Sequence, residues 1–288
     1  MKIGIVQPDN LIGYENVEHN RKINSEMICS LFDKGATIVV LPECADTQYQ
    51  MTSKEEVRKF SETLTGPSVS HWIELAMSYR KYIAGGIIER DGDNFYNTAV
   101  LVGPDGMIGH YRKMHLFDWE REFLTEGDLG FPNFKIEELD ITIGMLICYD
   151  LRFPEAVRTH MLNGCDLILV PTTWTSIGKS MLWDEKGYCH ANYLAIAHSH
   201  SNRIAFACAN RAGQEGDVTY LGASIILDSK AKVVAGPAKK EQANTLIGKI
   251  DPTESRNKQV GAISNLQFDR RPEYYNTLTS TLKSGVRK

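Results

Sequence analysis

The sequence predicts an α/β domain with mixed sheets, on three observations. Short apolar runs of β character alternate with stretches of helical spacing along the whole chain. Turn signals at GPDG (103–106) and within LDSKAKVV (227–234) make antiparallel hairpins inside that alternation. A simple doubly wound parallel sheet contains no such hairpins. Finally, no linker or low-complexity segment divides the 288 residues, 42% of them hydrophobic, so a single domain with one sizeable core is expected.

The elements follow in order. KIGIVQ (2–7) is a first strand; the opening ten residues lack the length and cleavage site of a signal peptide. Residues 14–34 carry Val17, Ile23, Met27 and Leu31 at helical spacing. Residues 36–41 are a continuous apolar strand ending at Pro42, 67–80 a helix, and 83–88 a strand containing Gly85 and Gly86. Residues 97–102 and 107–112 pair across GPDG, and 134–137 and 141–147 are further strands. A helix over 154–163 opens with proline in its first turn, where proline is favoured. Then come a strand (167–170), a long helix (186–201), strands at 205–209, 223–228, 230–234 and 245–250, and a short helix at 251–258. Each half holds helices, strands and a hairpin, which suggests a pseudo-repeat. The tail from about Gly261, with RRPEYY (270–275), is polar and is expected to pack on the domain or on a partner subunit.

Composition narrows the function. The net charge is −4, so no basic field draws nucleic acid. No run of 18 apolar residues exists to span a bilayer. Six scattered cysteines without a CxxC pair argue against a structural zinc site or a disulfide framework, and fit reduced thiols in a cytoplasm.

Chemistry collects beyond the carboxyl ends of strands in α/β sheets, and three ends stand out. VVLPEC (39–44) runs from an apolar strand into Glu43; a carboxylate at a buried rim is costly unless paired or used, and it suits a general base. HYRKMHLF (110–117) places Lys113 between apolar neighbours, where an ammonium can hold developing negative charge. LICYDLRFPE (146–155) puts Cys148 at the tip of a strand, with the N–H of Tyr149 next to it as an oxyanion donor. Singly, each has an ordinary explanation: a solvated carboxylate, a surface lysine, a core cysteine. Together they supply base, cation and nucleophile for acyl transfer through a thioester.

These motifs, LPE, YRKMHLF and CYDLRFPE in that order, resemble the nitrilase superfamily of carbon–nitrogen hydrolases, and the resemblance runs from KIGIVQ to RRPEYY. It implies a four-layer αββα sandwich of two mixed β-sheets flanked by helices, a catalytic triad of Cys148, Glu43 and Lys113, no metal or organic cofactor, and a homodimer or larger homo-oligomer. It also implies a second glutamate before the FLTEGD segment (123–128); counting back from Gly127 favours Glu120 over Glu122, although Glu126 stands where the family has proline. NRAG (210–213) and GAS (222–224) resemble pocket-supporting features, while HSHSN (198–202) departs from the family's Arg-Ala-x-Glu-Asn and keeps only Asn202. His198 and His200, two apart and unsupported, do not make a metal site.

The implied reaction is cleavage of a non-peptide C–N bond in a small amide or N-carbamoyl compound, releasing ammonia or an amine. Nitrile hydrolysis uses the same residues, but CYDLRFPE is more similar to the amidase and carbamoylase branches. Thr172, Thr173 and Trp174, after LILVP (167–171), are expected to border the substrate, Trp174 either there or capping the core. No clear cationic clamp for a substrate carboxylate stands out; Arg152 is a candidate, but its place in the CYDLRFPE motif points to a structural ion pair with Asp150 or Glu155. The competing readings are a non-catalytic scaffold and a thiol redox sensor with Cys44 as the oxidation partner.

Overall fold

The computed structural model of the protein describes residues 1–177, 182–240 and 242–280. In chain order the strands are β1 (Lys2–Gln7), β2 (Ile38–Val40), β3 (Tyr82–Asp91), β4 (Asn94–Gly103), β5 (Gly106–Arg112), β6 (Asn133–Ile136), β7 (Ile141–Met145), β8 (Leu167–Pro171) and β9 (Ala205–Ala209). They continue with β10 (Gln214–Glu215), β11 (Val218–Thr219), β12 (Ile225–Leu227), β13 (Val233–Ala235) and β14 (Asn244–Lys249). The helices are α1 (Val17–Asp33), α2 (Lys54–Phe60), α3 (Pro67–Tyr79), α4 (Glu120–Phe123), α5 (Pro154–Leu162) and α6 (His190–Asn202).

Two six-stranded mixed sheets face each other, ordered β14-β1-β2-β3-β4-β5 and β13-β12-β9-β8-β7-β6. Each holds three parallel strands, β1-β2-β3 and β7-β8-β9, extended by antiparallel neighbours. This is the αββα arrangement expected, and both hairpins fall where the turn signals put them.

Alternation along the strands builds the layers. Ile3, Ile5, Ile38, Val40, Ala84 and Leu101 face the second sheet and share one core with Ile143, Met145, Leu167 and Leu169. Val39, Ile83, Val100 and Val102 point the other way, against Ile28 and Leu31 of α1 and Val69, Trp72 and Ala76 of α3. On the far side, α5 and α6 cover the second sheet.

Several short elements, among them α4, β10 and β11, have no counterpart in the sequence expectation, and two further differences have a clear physical reason. The helix expected from 186 begins only at His190, because Asp184 and the positive φ of Gly187 (82°) close a turn first. Helix α2 has no counterpart in the expected elements, although its N-cap signature is present: Ser53 accepts from Glu56 N–H at 3.1 Å.

Gly86 brings β3 close to the Glu43 turn. Its N–H donates to Pro42 O and its carbonyl accepts from Ala45 N–H. A Cβ there would lie 2.6 Å from Glu43 Cα. Gly86→Ala should therefore destabilise the fold by about 1–3 kcal/mol through overpacking, read as a lower urea midpoint, and activity should fall more than stability because Glu43 is displaced. A variant with unchanged midpoint and turnover would show that the turn has room to move.

Candidate active site

The three strand ends meet at one edge of the sandwich. Strand β5 runs in the same direction as β2, from which it is separated by one parallel pairing (β2-β3) and two antiparallel ones (β3-β4, β4-β5), so Glu43 and Lys113 leave the sheet on the same side. Lys113 Nζ donates to Glu43 Oε1 at 2.7 Å and to Glu120 Oε1 at 2.8 Å. All three side chains are 0% exposed. Burial works against the Lys113 charge, but the Glu120 and Glu43 carboxylates overcome it and hold its pKa well above the ordinary lysine range.

Glu120 is fixed by four donors. Besides Lys113, Asn97 Nδ2 (2.8 Å) and Tyr49 OH (3.1 Å) reach Oε1, and the Phe117 N–H reaches Oε2 at 2.7 Å. Burial first, and repulsion from Glu43, push the Glu120 carboxyl up to about 7, against the pull of Lys113. Glu122 is exposed, so Glu120 is the glutamate that joins the cluster. Glu43 receives Asn97 Nδ2 on Oε1 at 2.6 Å and the Thr173 hydroxyl on Oε2. Gly127 closes the floor: its N–H donates to Lys113 O, and a Cβ would lie 2.1 Å from Arg112 O. The family's glycine is thus required here even though Glu126 replaces proline.

Cys148 begins a 3-10 turn, Cys148–Arg152, with φ of 45°. A non-glycine residue in that left-handed region costs on the order of 1–3 kcal/mol and must be held there by its surroundings. Asp150 does this. It accepts from Ile147 N–H (2.9 Å) and Tyr111 OH (2.8 Å) on Oδ2, and from the N–H and ring of His115 on Oδ1. His198 of α6 secures the other end of the turn by donating to Leu151 O at 2.8 Å. Asp150 is therefore spent beneath the turn, and the expected Asp150–Arg152 pair does not form; Arg152 is exposed and makes no ion pair with Glu155 either.

Burial and the Glu43 charge push the Cys148 thiol up to about 12, opposed by Lys113, the Thr172 hydroxyl and the Thr173 N–H. The buried Thr172 hydroxyl has no partner at ordinary hydrogen-bond geometry among the described residues, while the Thr172 N–H donates to Ala209 O at 2.9 Å. Thr172 and Thr173 thus face Cys148 and Glu43. Trp174, 4% exposed, both packs in the core and lines the cavity above the sulfur. Tyr149 lines it too, tilted against Phe117 with ring centres 5.1 Å apart. The cavity measures about 50 Å³, the space of roughly three to five waters at ~10–15 Å³ each.

Asn97 and Tyr49 were absent from the sequence candidates. Asn97 had a signal: an amide in the middle of a buried strand is unfavourable unless it is used. Tyr49 lies in a loop and had none. Cys44 is buried, and burial together with Glu43 and Glu120 raises its thiol well above the usual range, which makes it a poor resolving thiol. Among the described residues no His, Cys, Asp and Glu cluster of metal-site size occurs; His198 is committed to Leu151 and His200 is exposed.

A two-sheet α/β sandwich with a buried Glu–Lys–Glu cluster beside a strained cysteine defines a class of hydrolase scaffold. Comparison with known proteins makes the class specific: residues 2–258 match the carbon–nitrogen hydrolase family, and the chain belongs to it. It is 33% identical to a nitrilase of Pyrococcus abyssi, over 94% of this chain and 95% of the relative. It is 26% identical to an N-carbamoylputrescine amidase of Solanum tuberosum, over 92% and 91%. Among solved structures, a carbon–nitrogen hydrolase from Helicobacter pylori superposes with a TM-score of 0.82 at 22% identity, covering 97% of this chain and 98% of that one.

Two measurements check the geometry. With its thiol raised to about 12, Cys148 is protonated at neutral pH in the resting site. Its rate of modification by methyl methanethiosulfonate should therefore climb from pH 7 to pH 9 without a plateau; a plateau below pH 7 would mean a preformed thiolate. Thr173→Val removes the hydroxyl that donates to Glu43 Oε2, so kcat should fall with KM little changed, and Thr173→Ser should restore it. An unchanged kcat in Thr173→Val would leave Thr173 a packing residue.

Proposed function

We propose that the protein hydrolyses a small carboxamide or N-carbamoyl compound through a thioester on Cys148. The observation that carries this is the Lys113 ammonium held between two buried carboxylates, within electrostatic reach of the Cys148 thiol. An ammonium has three N–H donors. Two are spent on Glu43 and Glu120, and the third remains for a substrate oxygen.

In this reading Glu43 takes the Cys148 proton on Oε2, the oxygen not bonded to Lys113. The sulfur adds to the carbonyl carbon, and the oxygen of the tetrahedral adduct rests on Lys113 and the Tyr149 N–H. Glu43 returns the proton to the nitrogen as the C–N bond breaks, and ammonia or an amine leaves. Water then gives a proton to Glu43 and its oxygen to the thioester carbon, releasing acid and restoring the thiol. Glu120 keeps Lys113 charged and aimed.

The size of the cavity supports a carboxamide or carbamoyl head group. A nitrile enters the same chemistry as the second reading, which the name of the Pyrococcus abyssi relative favours. Two further features belong to the proposal. The six cysteines are free, which fits a reducing cytoplasm. The tail exposes Ile263 (92%) and Phe268 (80%) beside a groove formed with α5, which supports burial against a second copy of this chain.

Ammonia release should be measured on amides, N-carbamoyl compounds and nitriles. One class should respond, and Cys148→Ala should abolish the signal. Lys113→Ala should fold yet lose about 10²–10³ in kcat, the usual loss for an oxyanion donor. Turnover that survives either substitution contradicts the assigned roles.

A further inference from the structure

Residues 41–53, between β2 and α2, hold no helix or strand, yet Tyr49 among them aims its hydroxyl at Glu120 Oε1. Glu215, far away in sequence, fixes it. Its carboxylate receives two successive backbone N–H groups, that of Tyr49 on Oε2 at 3.2 Å and that of Gln50 on Oε1 at 3.2 Å. The Tyr220 hydroxyl also donates to Oε2. Glu215, Tyr49 and Tyr220 are all buried. Burial pushes both phenols well above the usual tyrosine range, so each keeps its proton and donates.

Glu215 is itself held. It lies in β10, which pairs with β11 through Glu215 opposite Val218 and Gln214 opposite Thr219. Thr219 is tied to the chain that leaves β8: Ser176 N–H donates to Thr219 O at 2.9 Å, and Thr219 N–H to Ser176 Oγ at 3.1 Å. Arg211, just before the hairpin, donates from Nη1 to Thr47 O at 2.9 Å and lies over the Tyr220 ring. The hairpin thus grips the Tyr49 loop from an anchored base. A buried carboxylate is a costly tie for a loop. Its two acceptor oxygens match the three donors, whereas a glutamine would turn an NH₂ group toward an N–H.

We propose that Glu215 is a positioning residue for C–N cleavage, acting through Tyr49 on Glu120 and so on Lys113. The path is continuous: Glu215 takes the Tyr49 N–H, the Tyr49 hydroxyl donates to Glu120 Oε1 at 3.1 Å, and Lys113 Nζ donates to the same oxygen at 2.8 Å. Glu215 does not line the cavity above Cys148, so it acts on the aim of the oxyanion donor and not on substrate binding. This rests on the hydrolase reading above and adds a residue to its machinery.

The test is a double-mutant cycle on kcat, with an amide, N-carbamoyl compound or nitrile that wild type hydrolyses, and a urea midpoint for each variant. Glu215→Gln and Tyr49→Phe should each lower kcat by about 10- to 10²-fold, the scale of a displacement transmitted from outside the reacting groups, with KM little changed. The double variant should be no more than about threefold worse than the weaker single variant, because both act along one path. Glu215→Asp, with both oxygens on a shorter arm, should lose less kcat with the same non-additivity, and it carries the cycle if Glu215→Gln does not fold. A merely structural Glu215 would lower the urea midpoint and leave the kcat of the folded protein at the wild-type value. That result, losses that multiply in the double variant, or a loss confined to KM would overturn this inference and leave C–N hydrolysis standing. Turnover of nothing by folded wild type with a reactive Cys148 would remove the hydrolase reading and this inference with it.

Discussion

The buried ammonium of Lys113 is the constraint on which the site depends. An unpaired charge at 0% exposure costs several kcal/mol even after relaxation. Two carboxylates against one ammonium restore the balance only in part, since they repel each other. The neutral donors do the rest: Asn97 bridges the two carboxylates, Tyr49 and the Phe117 N–H hold Glu120, and Thr173 holds Glu43. Each is a side chain or amide aimed inward by the fold, so the arrangement is built before any substrate arrives.

That requirement explains much of the surrounding backbone. Gly86 and Gly127 let chain segments approach Glu43 and Lys113 more closely than any side chain permits. Asp150 stabilises the unfavourable φ of Cys148 from below, and His198 ties the same turn to α6. Because α6 carries His198 where the family has other residues, a feature that departs from the family pattern still holds the Cys148 turn. The scaffold reading has no account of why a chain would keep this costly cluster. The redox reading lacks an accessible resolving thiol, since Cys44 is buried against Glu43.

Much of this was legible in the sequence, for physical reasons. Apolar runs such as VVL before Glu43 and MLI before Cys148 mark buried strands, and polar residues at their ends mark the edge where chemistry is exposed. Turn residues fixed the two hairpins. What escaped depends on contacts between distant segments. Nothing local to Tyr49 reports that its hydroxyl meets Glu120 across 71 positions. The partner of Asp150 was misassigned to nearby Arg152, because the true partners, Tyr111 and His115, come from the opposite sheet and its following loop. The Asp184 turn that delays α6 was hidden by helical residues on both sides.

The central claim is that the acyl group passes through Cys148 as a common intermediate. Hydroxylamine partitioning tests it most directly. Two substrates that share one acyl group, a primary amide and its N-methyl amide, would be hydrolysed with hydroxylamine present. A shared thioester predicts the same ratio of hydroxamate to acid from both, whatever the leaving group. Ratios that differ between the two substrates, or acid formed without hydroxamate, would contradict a Cys148 acyl-enzyme.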